Sequence, residues 1–331
     1  MGRFNNQGTI QLFLRESPTL PWVIGENPLD CQDSEALIGS MLSLTRRQFI
    51  GTGGAALAVS ALTGRLQAGY SKLKIGATDW NLQLEARPGS VELAKSIGFE
   101  GVQISLGHSP DPKKPPQHLP LSEPGLCEQF LAESGRNQVQ IASTCVEILH
   151  RNHLKDDPLG KKWVAESIPL TKKLRARVIL LPFFGDGALK TREEMDYVAA
   201  FLKEIGPEAE KTGVVLGLEN TISAEDNARI LDRAESRAVL VYYDVGNSFN
   251  NGFDIYKEIG WLGKDRICEF HLKDNPHLLG QGKIDFPRVI QAIAGTGFSG
   301  WAQLETVAPS GDVRKDMDTN LRYIRRLLAQ S

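Results

Sequence analysis

"GVVLGLENTISAEDNARILDRAESRAVLVYYD", residues 213–244, is the stretch whose reading decides the fold. It opens on a glycine and an apolar run, "GVVLGLE" (213–219), that ends in a glutamate. A helical segment follows, "ARILDRAE" (228–235), with apolar residues recurring three and four positions apart. A second apolar run, "AVLVYYD" (238–244), is rich in β-branched and aromatic residues and ends in an aspartate. Strand, helix and strand in this order form a βα repeat, in which the helix carries the chain back so that the two strands lie parallel.

The same alternation runs outward in both directions from about Ser71. Upstream runs are "LKIGATDW" (73–80), "GVQIS" (101–105), "QVQIASTC" (138–145) and "RVILLPFF" (177–184); downstream ones are "ICEFH" (267–271) and "GWAQLE" (300–305). Amphipathic segments lie between them, including "VELAKSIG", "KKWVAESIPLTKKL", "EMDYVAAFLKEIGPEAEKTG", "FPRVIQAIAGTG" and "DMDTNLRYIRRLLAQ", and several close on a glycine suited to a helix C-cap. Eight such units predict an α/β fold of about 250 residues, a (β/α)8 TIM barrel. The rival is a doubly wound open sheet. No GxGxxG follows the first strand and no GxxxxGK[ST] occurs, so no phosphate-cradling loop supports it.

Composition agrees with a large globular core and narrows the partner. Of 331 residues, 41% are hydrophobic and 24% charged, and the formal charge of −2 provides no basic field for nucleic acid. A small molecule is the expected partner. Cys31, Cys127, Cys145 and Cys268 are scattered without a CxxC, which argues against a zinc ribbon or a disulfide scaffold and for free thiols or small buried apolar residues.

The N-terminus reads as separate from the barrel. "LTRRQFIGTGGAALAVSALTG" (44–64) sets Arg46, Arg47 and Phe49 before a Gly/Ala-rich apolar stretch and resembles a twin-arginine export leader. Consecutive glycines at 53 and 54 argue against a buried helix there, each costing about 1 kcal/mol in a helix interior. The expected division is an N-terminal extension (1–40), a twin-arginine signal segment (41–69) and a catalytic barrel (70–331). The export machinery is then a partner and the periplasm the destination, with cleavage after Ala68 or, if the leader stays, a membrane anchor.

In a (β/α)8 barrel, the chemistry is built at the C-terminal ends of the strands. The last four apolar runs end in Glu219, Asp244, His271 and Glu305. Buried carboxylates are costly unless paired or coordinated, and no arginine occupies these strand ends, so three acids converging with one imidazole call for a cation. Three oxygen donors and one nitrogen suit one divalent metal ion of the Mn²⁺, Mg²⁺ or Co²⁺ type, with Zn²⁺ also possible.

At these residues the chain resembles the sugar isomerase and epimerase group with xylose isomerase-like barrels, which includes ketose 3-epimerases, ketopentose phosphate 3-epimerases, hydroxypyruvate isomerase and inosose dehydratase. The matching stretches are "GLEN", "YYDVGN", "EFHLKD" and "LLGQGKIDFPRVIQAIAGTGFSGWAQLE", in the family's order, over Leu73 to Gln330. The resemblance implies that Glu219, Asp244, His271 and Glu305 are metal ligands, with Mn²⁺ the first expectation, and that Glu219 and Glu305 double as acid/base catalysts. Two carboxylates on opposite faces of a substrate would move a proton through an enediolate, epimerising or isomerising a keto sugar. Two positions depart from the pattern. Asn247 stands where many members carry a histidine, and Asn275 where relatives often carry an arginine near the substrate.

Further loop residues complete the expectation. Trp80 and Asn81 follow the first strand, Gln103 and His108 the second, and Glu147 the third; Trp80, Glu147 and Asn247 are the candidate substrate-binding residues. Glu225 is expected in the first turn of a helix and Asp285 at a helix N-cap. A metal-dependent lyase or dehydratase, or a non-catalytic sugar-binding barrel, would share much of this pattern. A homo-oligomer is compatible with it.

Overall fold

The computed structural model of the chain describes residues 73–330 apart from 110, 112 and 113. The expected extension (1–40) and twin-arginine segment (41–69) lie outside the described residues, as does Cys31. Cys127, Cys145 and Cys268 are free thiols.

Eight strands, β1 (Lys74–Thr78), β2 (Gly101–Ser105), β3 (Gln140–Cys145), β4 (Val178–Pro182), β5 (Val215–Glu219), β6 (Val239–Asp244), β7 (Ile267–Leu272) and β8 (Trp301–Leu304), form one sheet. Every neighbouring pair is parallel, and β8 pairs with β1, closing the barrel predicted from the sequence. Each apolar run holds one strand, shortened mostly at its ends. β8 stops at Leu304, so Glu305 is the first residue past the strand rather than its last, although its N–H still donates to Leu272 O at 3.2 Å.

Eight α-helices lie between the described strands and a ninth follows β8: α1 (Gly89–Ile97), α2 (Leu126–Asn137), α3 (Pro158–Lys173), α4 (Arg192–Thr212), α5 (Ala224–Ala234), α6 (Val245–Asn250), α7 (Ile255–Leu262), α8 (Phe286–Gly295) and α9 (Val313–Gln330). Local chemistry sets their ends. A capping box of Thr191 and Glu194 opens α4, and Ser223 and Asp285 cap α5 and α8 by accepting N–H groups of Asp226 and Arg288. Asp285 is therefore a cap, as expected, and Glu225 lies in the first turn of α5. None of the described helices is long and apolar enough to cross a membrane.

Strand alternation divides the side chains between two regions. Phe270 and Leu272 point outward and join the main apolar layer between sheet and helices, with residues such as Val289, Ile293 and Leu321. A separate, small apolar cluster gathers around Cys145, Val178, Leu180 and Tyr242. Much of the remaining interior is polar: Gln103, Ser143, Glu269, His271 and Gln303 are all fully or almost fully buried.

One irregularity sets which β7 residues enter that interior. Val241 pairs with Ile267 but Tyr242 pairs with Glu269, so Cys268 is an extra residue in β7. This bulge resets the alternation, and Glu269 and His271 fall on the same inward face, with Lys273 two residues further on.

Candidate active site

The four strand-end residues meet at the C-terminal mouth of the barrel. One ligand atom from each of Glu219, Asp244, His271 and Glu305 can be chosen so that all lie within 4.8 Å of one another. His271 is central: its Nδ1 is 3.0 Å from Glu219 Oε1, 3.3 Å from Glu305 Oε2 and 3.6 Å from Asp244 Oδ2. Its Nε2 is 2.7 Å from Gln103 Oε1, which an imidazole N–H must donate to. Gln103 thereby fixes the ring and leaves Nδ1 to face the carboxylates, the arrangement a ligating histidine needs.

Each carboxylate is oriented by its own neighbours. Asp244 closes β6 and also caps α6: Oδ1 accepts the Asn247 N–H at 2.8 Å, which turns Oδ2 toward His271. Glu219 Oε1 accepts the Asn247 side-chain amide at 3.3 Å, and Glu305 Oε1 accepts the Trp80 indole N–H at 3.1 Å. The amide at 247 is therefore directed at a carboxylate rather than at the His271 ring.

Lys273 is the residue the sequence reading passed over. Its Nζ lies 2.7 Å from Asp244 Oδ2 and 2.5 Å from Glu305 Oε2. The site thus does contain a compensating cation, a lysine just past the strand end, contrary to the expectation drawn from the missing arginine. Continued strand alternation was the available signal, since Lys273 is two residues beyond inward-facing His271.

The balance of charge pushes the groups apart. Burial raises Glu219 to about 8, with Glu305 and Asp244 adding to the rise and His271 opposing it. Burial also works against ionised Glu305, but His271 and Lys273 outweigh it and hold that carboxyl below its ordinary range. Asp244 is likewise buried, and Lys273 and His271 hold it well below the usual carboxylate range. Burial would keep His271 neutral, yet Glu305 and Glu219 draw its pKa well upward.

The donor set fits a divalent ion. Three carboxylates face one ammonium and one imidazole, and Asp244 Oδ2 is buried without a well-directed hydrogen bond, between Lys273 Nζ at 2.7 Å and His271 Nδ1 at 3.6 Å. Oxygen-rich coordination with one imidazole matches Mn²⁺, Mg²⁺ or Co²⁺ chemistry and is open to Zn²⁺.

Above the four groups lies a cavity of about 290 Å³ lined by Trp80, Glu147, His150, Phe184, Asn247 and Lys273, among others, with Glu219 and Glu305 in its wall. Trp80, Glu147 and Asn247 all reach it. Phe184 and His150, which stack with ring centroids 5.9 Å apart, were not foreseen. Asn81 and His108 stay outside: Asn81 donates to Thr306 O at 3.0 Å, and His108 sits beside Glu85 at 2.9 Å.

Residues 91–327 match the family model described as a xylose isomerase-like TIM barrel. The chain belongs to that family. Among curated proteins it is similar to a 2-epi-5-epi-valiolone 7-phosphate 2-epimerase of an Actinoplanes species, 23% identical over 234 residues that cover 67% of this chain and 83% of the relative. Among solved structures it is similar to D-psicose 3-epimerase from Clostridium cellulolyticum H10, with a TM-score of 0.64 at 17% identity, covering 77% of this chain and 99% of that one. It is similar as well to 3-keto-D-glucoside 4-epimerase from E. coli, with a TM-score of 0.62 at 15% identity, covering 77% of this chain and 100% of that one. At these identities the structural likeness establishes the fold.

This xylose isomerase-like barrel has a second, larger cavity of about 920 Å³ at the opposite end, among Lys74, Arg177, Ile267 and Trp301. It reaches Glu269 but none of the four converging groups, so size does not make it the centre of the chemistry.

Proposed function

We propose that this chain is a divalent-metal-dependent enzyme that epimerises or isomerises a small keto sugar by moving a proton between carbon and carboxylate. The observation that carries the reading is the convergence of Glu219, Asp244 and Glu305 on His271 Nδ1 beside a cavity of about 290 Å³. The volume suits a monosaccharide. The epimerases among its relatives support the same class of reaction.

Glu219, Asp244, His271 and Glu305 would hold the ion, which when bound supplies Lewis-acid polarisation of the substrate carbonyl and so acidifies the neighbouring C–H. The chain's own residues do the rest. Glu305, with Oε1 held by the Trp80 indole N–H, is the carboxylate placed to accept a proton from carbon. Glu219, on the other side of His271 Nδ1, is the carboxylate placed to return one. Glu219 ends β5 and Glu305 follows β8, with β6 and β7 between, so removal by one and return by the other would invert a carbon held between them. Trp80 and Asn247 hold the two carboxylates in place, while Glu147 and His150 line the wall where sugar hydroxyls would lie.

The twin-arginine reading of residues 41–69 favours an exported enzyme. Sugar phosphates depend on cytosolic ATP, so an unphosphorylated ketose or keto-glycoside is the preferred substrate class. Incubation of Mn²⁺-loaded protein with free and phosphorylated keto sugars, followed by product analysis, tests this. An epimer or an aldose–ketose pair from a free sugar is the expected result; loss of water to an unsaturated product would make the chain a lyase, and no conversion of any sugar would leave a binding barrel.

A further inference from the structure

The Lys273 ammonium occupies a built seat in the centre of the site. Its side chain is only 14% exposed, and Nζ is within 2.7 Å of Asp244 Oδ2 and 2.5 Å of Glu305 Oε2. The backbone makes room for it: a Cβ at Gly246 would stand 2.5 Å from Lys273 Cγ and 3.0 Å from its carbonyl oxygen. The motifs "DVGN" and "HLKD" are therefore linked, since the glycine of one admits the lysine of the other.

The two oxygens that hold the ammonium are also the ones that face His271 Nδ1, at 3.6 and 3.3 Å. Carboxylates bind divalent metals at about 2.0–2.2 Å. An ion bound to both oxygens would sit against an ammonium already in contact with both, like charge against like charge at hydrogen-bonding range.

Resting on the metal reading above, we propose that Lys273 competes with the divalent ion for Asp244 Oδ2 and Glu305 Oε2. Loading the metal unseats the ammonium. Lys273 lines the cavity of about 290 Å³, so the displaced ammonium stays in its wall, within reach of a substrate oxygen. The lysine balances two buried carboxylates in the absence of metal and keeps metal affinity moderate. The ion is thus exchangeable instead of permanently held, and its occupancy follows supply.

The test is direct Mn²⁺ titration of the chelator-stripped full chain, with free Mn²⁺ read by its room-temperature EPR signal, for wild type and for Lys273→Met. Removing the competing charge-assisted hydrogen bonds is expected to tighten Mn²⁺ binding roughly 10- to 100-fold. A merely structural lysine would give the opposite sign, because disturbing the site weakens binding. If Lys273→Met fails to melt cooperatively, Lys273→Gln serves in its place. Equal or weaker binding in a folded variant overturns the proposal and leaves the metal reading intact. Absence of Mn²⁺ binding in both wild type and variant overturns the metal reading and this proposal together. Tight binding confined to the variant supports the competition.

Discussion

At the scale of single residues, the carboxyl that the proposed reaction does not use offers a clean prediction. Glu269 is 1% exposed, accepts hydrogen bonds from Ser143, Tyr242 and Gln303 through Oε2, and is raised by burial to about 7. A raised carboxyl binds more protons folded than unfolded between its ordinary pKa and 7. Its contribution to stability is therefore present at low pH and lost as pH rises through that window. Across it the loss amounts to about 3 kcal/mol for one group. Glu269→Gln should accordingly gain stability over wild type on going from about pH 4 to about pH 8, measured by urea unfolding at each pH; parallel curves for the two proteins would refute it. The residues legible from sequence were those that end apolar runs. Glu219, Asp244 and His271 stood out because an ionisable group at the end of a buried strand demands an explanation. Lys273 did not. The lysine follows its strand as an ordinary loop cation would, and Gln103, expected in the loop after the second strand, lies within β2, where only the barrel's closure reveals its bond to His271.

At the scale of elements, the turn from β6 into α6 carries the most chemistry per residue. Asp244 ends the strand, caps the helix and faces His271, while Gly246 makes room for Lys273. Gly246→Ala would press a methyl into the Lys273 stem and its backbone oxygen, and only the stem can move. A destabilisation of about 1–3 kcal/mol is expected from such overpacking. In a double-mutant cycle with Lys273→Ala part of that cost should be relieved, giving a coupling of at least about 0.5 kcal/mol by chemical denaturation. Strict additivity would separate the two motifs. Strand existence was legible throughout, since each apolar run holds one strand. Three helices were not: α2 is polar toward its end and contains Gly135, α6 is only six residues long, and α7 follows it closely. The bulge at Cys268 was equally hidden, because it depends on pairing with β6 rather than on anything in "ICEFH".

At the scale of the whole molecule, the eightfold repeat was the strongest signal, and closure of β8 onto β1 is what turns separate strand ends into one site. Residues far apart in sequence, such as Trp80 and Glu305, become hydrogen-bonded neighbours only through that closure. The barrel also has two mouths, and the larger cavity lies at the one without the converging groups. The central claim is that the mouth with Glu219 and Glu305 exchanges protons with carbon. It is tested most directly by incubating the Mn²⁺-loaded chain with a ketose it turns over in deuterated water and reading the sugar by NMR. Deuterium should enter at the carbon beside the carbonyl. The signal should fall by about 10²-fold or more in Glu305→Gln, the lower end of what a general base contributes. Turnover that leaves every carbon free of deuterium, or a Glu305→Gln variant that exchanges at the wild-type rate, would contradict the account.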